Sequence, residues 1–531
     1  MYTKNFLLIT VLCIFAASCT EGDENATGNS MDYKEQHRLQ LHFSPPSKWM
    51  NDPNGMVFFE DEYHLFYQYY PDSTVWGPMH WGHAVSKDLM HWEHLPIALE
   101  PDEHGYIFSG SAVVDWENTS GFSKDGEPPL VAIFTYHDPE GDKAGSVDFQ
   151  TQGIAYSTDK GRSWTKYEGN PVLPNPGIRD FRDPKVIWDG DSEQWVMALA
   201  VDDHIEFYGS RDLKSWFKLS SFGKTVGAHG GVWECPDLFP IWLPETGAKK
   251  WVLLVSINPG AYNGGSGTQY FIGEFDGRRF RMDQEFGAHL ARSATEDRPA
   301  ACWLDFGRDN YAGVTWSDVP EDDGRRIFLG WMSNWDYAQI VPTKTWRSAM
   351  TLPRELRINT TPKGPRIFQS FTEELTQLRE NSQEFDIDNA QRSTELTGIS
   401  PTRLEVEIEA LVGDTGSFYL ELTNNLNESY RIGYDADQQA YFSDRTAAGK
   451  KSFSDKFAKE IHYAPKQIKG VLVKMHLVFD HGSVEMIADD GMVALTDLFF
   501  PNEDFSAIKL VTDNDKFDIQ QLSVHTLSSI W

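Results

Sequence analysis

Ser86-Lys-Asp88-Leu-Met-His-Trp92, Ser157-Thr-Asp159-Lys-Gly161-Arg-Ser-Trp164 and Ser210-Arg-Asp212-Leu-Lys-Ser-Trp216 are three copies of one local pattern. In each, a small hydroxyl and an Asp two residues on can hydrogen-bond the backbone of a turn between strands, and the Trp returns to the core. The copies therefore predict hairpin tips. The middle one has the Ser-x-Asp-x-Gly-x-x-Trp form found on many propeller blades. A second pattern runs in phase: an apolar strand follows Asp52-Pro53, Ser109-Gly110-Ser111, Asp183-Pro184, Glu234-Cys235-Pro236 and Asp305-Phe306-Gly307. These starts lie 57, 74, 51 and 71 residues apart, room for one four-stranded antiparallel blade each. Within a start, strand, turn and partner strand follow in order, as in Met56 to Phe59, Glu60 to Glu62 and Tyr63 to Tyr67, or Lys185 to Trp188, Asp189 to Glu193 and Gln194 to Leu199.

The fold class is thus all-β: a five-bladed β-propeller over 38–360, a linker over 361–384 and a C-terminal β-sandwich over 385–531. The sandwich is expected because Arg403-Leu-Glu-Val-Glu-Ile-Glu409 and Ser417-Phe-Tyr-Leu-Glu-Leu422 alternate apolar and polar residues, so one face is buried and one wet. Helical periodicity is nearly absent, with Phe371 to Arg379 the only short helix candidate.

Composition bounds the ligand. In a chain of 531 residues, 13% are aromatic and the net charge is −32, a surface that repels phosphate backbones and anionic membranes. With loops rich in Gly, Asp and Asn, a neutral, hydroxyl-rich ligand such as a sugar fits better. No cofactor is called for: the Gly-rich loop Gly260 to Gly267 has no Lys-Ser/Thr pair or helix after it to cradle a phosphate. Metal ligation is not expected either. His80-Trp-Gly-His83 and His91-Trp-Glu-His94 are interleaved with Trp on strand-like sequence and read as packing, and no Cys/His spacing suggests zinc.

The N-terminus reads separately. Lys4 and the apolar run Phe6 to Ser18 have the form of a signal peptide (1–18), too short for the roughly 20 apolar residues of a membrane span. Ala16-Ala17-Ser18-Cys19 resembles a bacterial lipoprotein cleavage site with Cys19 acylated, although position 16 departs from the preferred Leu. A plain secretory peptide cut near Ala17 is the alternative. The acidic stretch 19–37 then reads as a tether, with acids after the Cys like those of surface-exported Bacteroidetes lipoproteins. An exported protein, anchored by lipid to a bacterial outer membrane, is the expectation. Cys235 and Cys302 remain in the body and one disulfide between them is possible.

The blade register makes the sharpest point. Asp52, Asp183 and Glu234 each open the first strand of a blade, each with Pro one or two residues later. Innermost strands surround the axis and start at one end, so three carboxylates face one funnel. Pro at a strand's first residue removes a ladder donor and fixes how the preceding acid is aimed. Convergent acids are costly unless they bind a cation or serve chemistry. Against a calcium site, Trp49, Trp76, Phe108, Trp233 and Trp335 form an aromatic wall, suited to stacking on a sugar and poor in oxygen ligands. Two carboxyls of separated pKa are the equipment of glycoside hydrolysis.

Trp49-Met-Asn51-Asp52-Pro-Asn-Gly55, Phe108-Ser109-Gly-Ser, Phe181-Arg182-Asp183-Pro and Trp233-Glu234-Cys235-Pro resemble the four signature blocks of glycoside hydrolase family 32, the β-fructofuranosidases, and Gly77-Pro-Met-His-Trp81-Gly-His83 adds a fifth. The resemblance covers roughly 38–531. It implies retaining cleavage of β-fructofuranosidic bonds, with Asp52 as nucleophile, Glu234 as general acid/base and Asp183 as transition-state stabiliser. It also implies a fructose pocket from Trp49, Asn51, Gln68, Trp76, Phe108, Ser109, Arg182 and Trp335. Physics agrees with the division: Asn51 and backbone donors can keep Asp52 ionised, Trp233 and two negative neighbours favour a proton on Glu234, and Arg182 keeps Asp183 charged. Cys235 is expected to be a packed thiol beside Glu234.

The implied substrate is a fructose-containing oligo- or polysaccharide, levan, inulin or sucrose, cleaved from the end; endo-cleavage of levan is the alternative. A sialidase would need an arginine cluster and a Tyr nucleophile, and a non-catalytic sugar-binding lipoprotein would lack one of the acids, all of which are present. Gly260 to Gly267, His137 to Asp148 and Val226 to Gly231 are expected to frame the leaving side, and a mildly acidic to neutral optimum is expected.

Overall fold

The computed structural model describes residues 33–295, 300–387, 392–413, 416–512 and 517–531, and Tyr33–Trp531 form one compact unit. The signal peptide and Cys19 lie outside the described residues. The C-terminal end of the expected tether does not: Tyr33 stacks on Trp531 at 3.9 Å and His37 is buried, so the folded body begins at Tyr33 and not after residue 37.

Five four- or five-stranded sheets are the blades. Their innermost strands are Lys48–Phe59, Tyr106–Val114, Phe181–Asp189, Val232–Trp242 and Tyr311–Thr315, and each packs on the next, the fifth closing on the first. Closure is also hydrogen-bonded: Trp346–Arg347, which follow the innermost strands of blade 5, pair in parallel with Lys48 and Trp49 of blade 1. The three Ser-x-Asp turns sit between the third and fourth strands of blades 1, 2 and 3. In the second, Asp159 Oδ1 accepts from Ser157 Oγ at 2.7 Å and from Ser163 N at 2.9 Å, while Trp164 donates back to Gly161 O at 3.0 Å.

All five innermost strands are interrupted at the same end. The ladder to the second strand skips between Met50 and Pro53, Ile107 and Gly110, Arg182 and Lys185, Glu234 and Asp237, and Tyr311 and Val314. In three of these bulges a non-glycine residue has positive φ: Asp183 (64°), Cys235 (44°) and Ala312 (54°). The backbone groups released there are satisfied by neighbouring blades. Asp183 N donates to Thr135 Oγ1 (3.0 Å), Val186 N to Ser111 Oγ (2.9 Å) and Ala312 N to Ser256 Oγ (3.1 Å).

Several expectations need correction. Blade 5 does not start at Asp305-Phe306-Gly307 but at Tyr311; Asp305 is spent on Arg354 and Thr496, between propeller and sandwich. The propeller does not end at 360, because Gly364–Phe371 pairs with Arg354–Thr361 as the last strand of blade 5, and Arg379–Glu384 already belongs to the sandwich. The connection is therefore the 3₁₀ turn Glu373–Leu378, inside the helix candidate. An α-helix with no strong sequence signal, Gln284–Ser293, is capped by Asp283 and buries Phe286 and Leu290, and a short one spans Pro139–Lys143. Cys235 and Cys302 are both free.

The sandwich has two six-stranded antiparallel sheets. Leu404, Val406 and Ile408 of one face Phe418, Leu420 and Leu422 of the other within one apolar cluster. The other side of Leu404–Val412 is not simply wet: Glu405 is 1% exposed, held by Arg379 at 2.6 Å and His476 at 2.8 Å.

Propeller and sandwich meet over buried charge. Arg354 joins Asp305 (2.9 Å) and Glu485, and His42 lies between Asp480 (2.8 Å) and Glu485 (3.0 Å). Burial opposes the charge on His42, but the two carboxylates outweigh it and raise its pKa to about 9. A group whose pKa is raised on folding stabilises most below its unfolded value of about 6.5, and loses that contribution as pH rises through about 9. His42→Ala should cost about 3–5 kcal/mol at pH 6, because Asp480 loses its paired cation and Glu485 one of two. Thermal unfolding at pH 6 and pH 10 checks this: the gap between parent and variant should narrow at pH 10, and a constant gap would contradict the linkage.

Candidate functional site

At the bulged end of the axis lies a cavity of about 370 Å³, lined by all three predicted acids and by Asn51, Gln68, Trp76, Phe108, Ser109, Arg182 and Trp335. The bulges explain the convergence. Skipping a residue after Glu234 and around Asp183 turns these carboxyls off the ladder toward the axis, and Pro53, Pro184 and Pro236 leave no N–H to pull the strands back into register.

Asp52 accepts from Ser109 Oγ at 3.0 Å through Oδ2, while its buried Oδ1 has no partner among the described residues. Asp183 Oδ2 accepts from the Cys235 N–H at 3.0 Å. Glu234 Oε1 accepts from Arg182 Nη2 at 2.9 Å and Nε at 3.3 Å, and Oε2 accepts from the Tyr311 hydroxyl. Burial is the largest cause of the raised carboxyl pKa values here. It lifts Asp52 to about 6, against hydrogen bonds from Asn51 and Ser109 that pull it down. It lifts Asp183 to about 7, with Arg182 opposing and Glu234 and Asp52 adding. Arg182 is held firmly charged by Glu234, Asp183 and Asp180 despite its burial. It supplies the positive charge that lets three acids share one cavity.

The aromatic wall is partly as predicted. Trp76 meets Phe108 edge-on at 6.0 Å and Phe108 stacks on His137 at 4.3 Å. Trp49, however, is fully buried and does not line the cavity; its indole donates to Asn51 Oδ1 at 2.7 Å and packs on Trp335 at 5.9 Å, so it positions two lining residues. Trp233 is also off the cavity, because strand alternation points it away from Glu234, and it donates to Ala228 O. Arg182 binds Glu234 more closely than Asp183, which is 4.0 Å away. Cys235 Sγ faces Asp183 (3.6 Å) and Asp52 (3.7 Å), not Glu234.

Of the three loops expected to frame the site, only His137 to Asp148 does, through His137 and Asp142; Gly260 to Gly267 and Val226 to Gly231 lie off this cavity. Sequence reasoning missed Phe149, Gln150, Arg179, Asp180 and Gln339 on its wall, and Tyr311 behind Glu234. Tyr311 had a signal, as the position in blade 5 equivalent to the acid-bearing bulges. The His pairs are packing groups, with His83 on His64 at 3.0 Å and His94 on Tyr33 at 2.9 Å.

Buried, hydrogen-bonded acids in an aromatic cavity on a propeller are the equipment of a carboxylate glycosidase. The sequence profile of the N-terminal domain of glycosyl hydrolases family 32 matches residues 42–370, and that of the family's C-terminal domain matches 374–526. The chain belongs to glycoside hydrolase family 32. It is 46% identical to a levanase of Bacillus subtilis (strain 168) over 99% of this chain and 75% of the relative, and 36% identical to an extracellular exo-inulinase of Aspergillus awamori over 94% and 96%. Among solved structures it is similar to exo-inulinase from Aspergillus awamori, with a TM-score of 0.83 and 34% identity over 94% of this chain and 100% of that one. It is also similar to β-fructofuranosidase from Schwanniomyces occidentalis complexed with fructosyl-erythritol, with 0.82 and 32% over 94% and 99%.

A carboxyl whose pKa is raised on folding stabilises below its unfolded value, and that contribution is lost as pH climbs through the folded value, here from about 3.8 to about 6 for Asp52. Asp52→Asn, which cannot ionise, should unfold at a higher temperature than the parent at pH 8 and nearly with it at pH 4. Thermal scans at both pH values check this; a variant less stable than the parent at pH 8 would contradict the burial argument.

Proposed function

We propose that this glycosidase releases fructose from the ends of β-fructans of the levan or inulin kind, and from sucrose, with net retention. The convergence of Asp52, Asp183 and Glu234 in one buried, aromatic-walled cavity carries the reading. Asp52 attacks the anomeric carbon of the terminal fructosyl unit, the glycosidic bond breaks, and Glu234 gives its proton to the leaving oxygen. Water, deprotonated by Glu234, then cleaves the fructosyl ester and restores both carboxyls. Asp183 accepts hydrogen bonds from ring hydroxyls that strengthen as positive charge develops. Ser109 holds Asp52, and Arg182 and Tyr311 hold Glu234 in the free site.

Relatives called levanase and exo-inulinase support polymeric fructosides and attack at chain ends. Export fits relatives called extracellular, and we carry the lipid anchor at Cys19, the membrane link through it and an outer-membrane location as part of the proposal.

Asp52→Asn and Glu234→Gln should each lower kcat on sucrose and levan by at least about a thousandfold, since each removes a chemical step. Steady-state kinetics with chromatography of products checks both parts: fructose alone supports attack at chain ends, and a ladder of oligosaccharides contradicts it.

A further inference from the structure

The carboxylate site is not the propeller's one large cavity. A second one, of about 790 Å³, opens at the other end of the axis, where the innermost strands finish: Val113 and Val114, Ile187 and Trp188, and Leu238, Phe239, Pro240 and Trp242 line it. Trp188 lies five residues beyond Asp183, roughly 17 Å along the strand. Three tryptophans from three blades stand on its wall largely in solvent: Trp116 is 59% exposed, Trp188 42% and Trp242 55%. Indoles left this open on one cavity mark a binding surface more than packing.

Two of them are held in place. Trp116 Nε1 donates to Asp318 Oδ1 at 3.0 Å, and Trp188 packs edge-on against Trp195 at 5.1 Å, whose own Nε1 donates to Thr119 Oγ1 at 2.8 Å. Between blades 5 and 1 the cavity is lined by Ser317, whose backbone is pinned to Met56 and Phe58 of blade 1. Its side chain is 8% exposed and its hydroxyl has no partner among the described residues. A ligand hydroxyl would satisfy it.

The wall's charges exclude other ligands. Two of its cations are paired, Lys185 at 3.2 Å from Asp237 and Arg325 at 2.7 Å from Asp323, and the third, Arg326, donates to Trp316 O at 3.2 Å. Exposed Glu117 and Glu321 add negative charge to the wall, on a chain of net charge −32. Phosphates and carboxylates are repelled, while faces of uncharged sugar rings can stack on the indoles. We infer that this cavity is a second, non-catalytic binding site for an uncharged polysaccharide, namely a stretch of the fructan chain whose end is cut at the opposite mouth. It rests on the substrate reading above. It would keep the enzyme on the polymer between cuts and raise the local concentration of chain ends.

The test is native affinity electrophoresis in gels holding levan or inulin. It is run in the Asp52→Asn background with free fructose filling the catalytic cavity, and paired with sucrose kinetics in the parent background. Trp188→Ala/Trp242→Ala should weaken polymer retention about tenfold and leave sucrose turnover unchanged, the loss of two ring stacks. Trp188→Tyr/Trp242→Tyr, which keeps aromatic faces and guards against misfolding of the Ala pair, should restore most of the retention. Retention unchanged in the Ala pair, or absent with both polymers before any change, overturns the proposal. So does a cavity covered by a second copy of the chain, seen as a dimer that the Ala pair dissociates. Hydrolysis of none of the fructosides by the parent would instead overturn the substrate reading, and retention read in the gel separates the two failures.

Discussion

Five interrupted ladders hold this molecule's chemistry. A regular innermost strand would pair all along its neighbour and send alternate side chains up and down the blade. Here each ladder breaks at the same end, and three breaks occur at an acid-bearing step followed by a proline. A bulge leaves backbone groups unpaired and forces Asp183 and Cys235 into a left-handed conformation, a cost of the order of 1–3 kcal/mol per residue in a non-glycine position. The preceding blade supplies the compensation: Thr135, Ser111 and Ser256 reach across to N–H groups at the bulges. The same bonds that make the bulges tolerable also lock adjacent blades together, so the site and the ring depend on one set of contacts.

The charges follow from the geometry. Gathering three carboxyls in a cavity raises Asp52 and Asp183, mostly through burial, and Arg182, paired to Glu234, offsets the accumulated negative charge from within. Arg182 rests on Glu234 and not on its sequence neighbour Asp183. Residues 182 and 183 both reach the cavity at a break in the ladder, yet the guanidinium meets the carboxyl of the next blade more closely, so proximity in sequence is a poor guide there. A cation buried among carboxylates recurs between propeller and sandwich at Arg354 and His42. There it fixes how the last blade is braced.

Much of this was legible in the sequence for a physical reason. Pro after an acid at a strand start, repeated in register, is a rare combination that encodes both the break and the direction of the side chain, and the Ser-x-Asp turns encode the hairpins that set the period. Residues whose role comes from across a blade boundary carried no such mark. Tyr311 shares the register of the acid-bearing steps but has neither the acid nor the proline that mark them. Trp233 adjoins Glu234 and alternation along the strand turns it away, whereas Trp49 lies behind Asn51 and Trp335 and is covered by them. The end of blade 5 was misplaced since Gly364–Phe371 lacks the Asp turn of the earlier blades, and Gln284–Ser293 is held by one cap and two buried side chains, too little periodicity to read.

In the proposed reaction the strand register places Asp52 to bond with the anomeric carbon. The most direct measurement of that bond is peptide mapping by mass spectrometry of the Glu234→Gln variant, quenched in acid during reaction with an activated fructosyl donor. A hexosyl group esterified to Asp52 is the predicted result. An adduct on Asp183 or elsewhere, or fructose formed with no covalent species at any quench time, would contradict it.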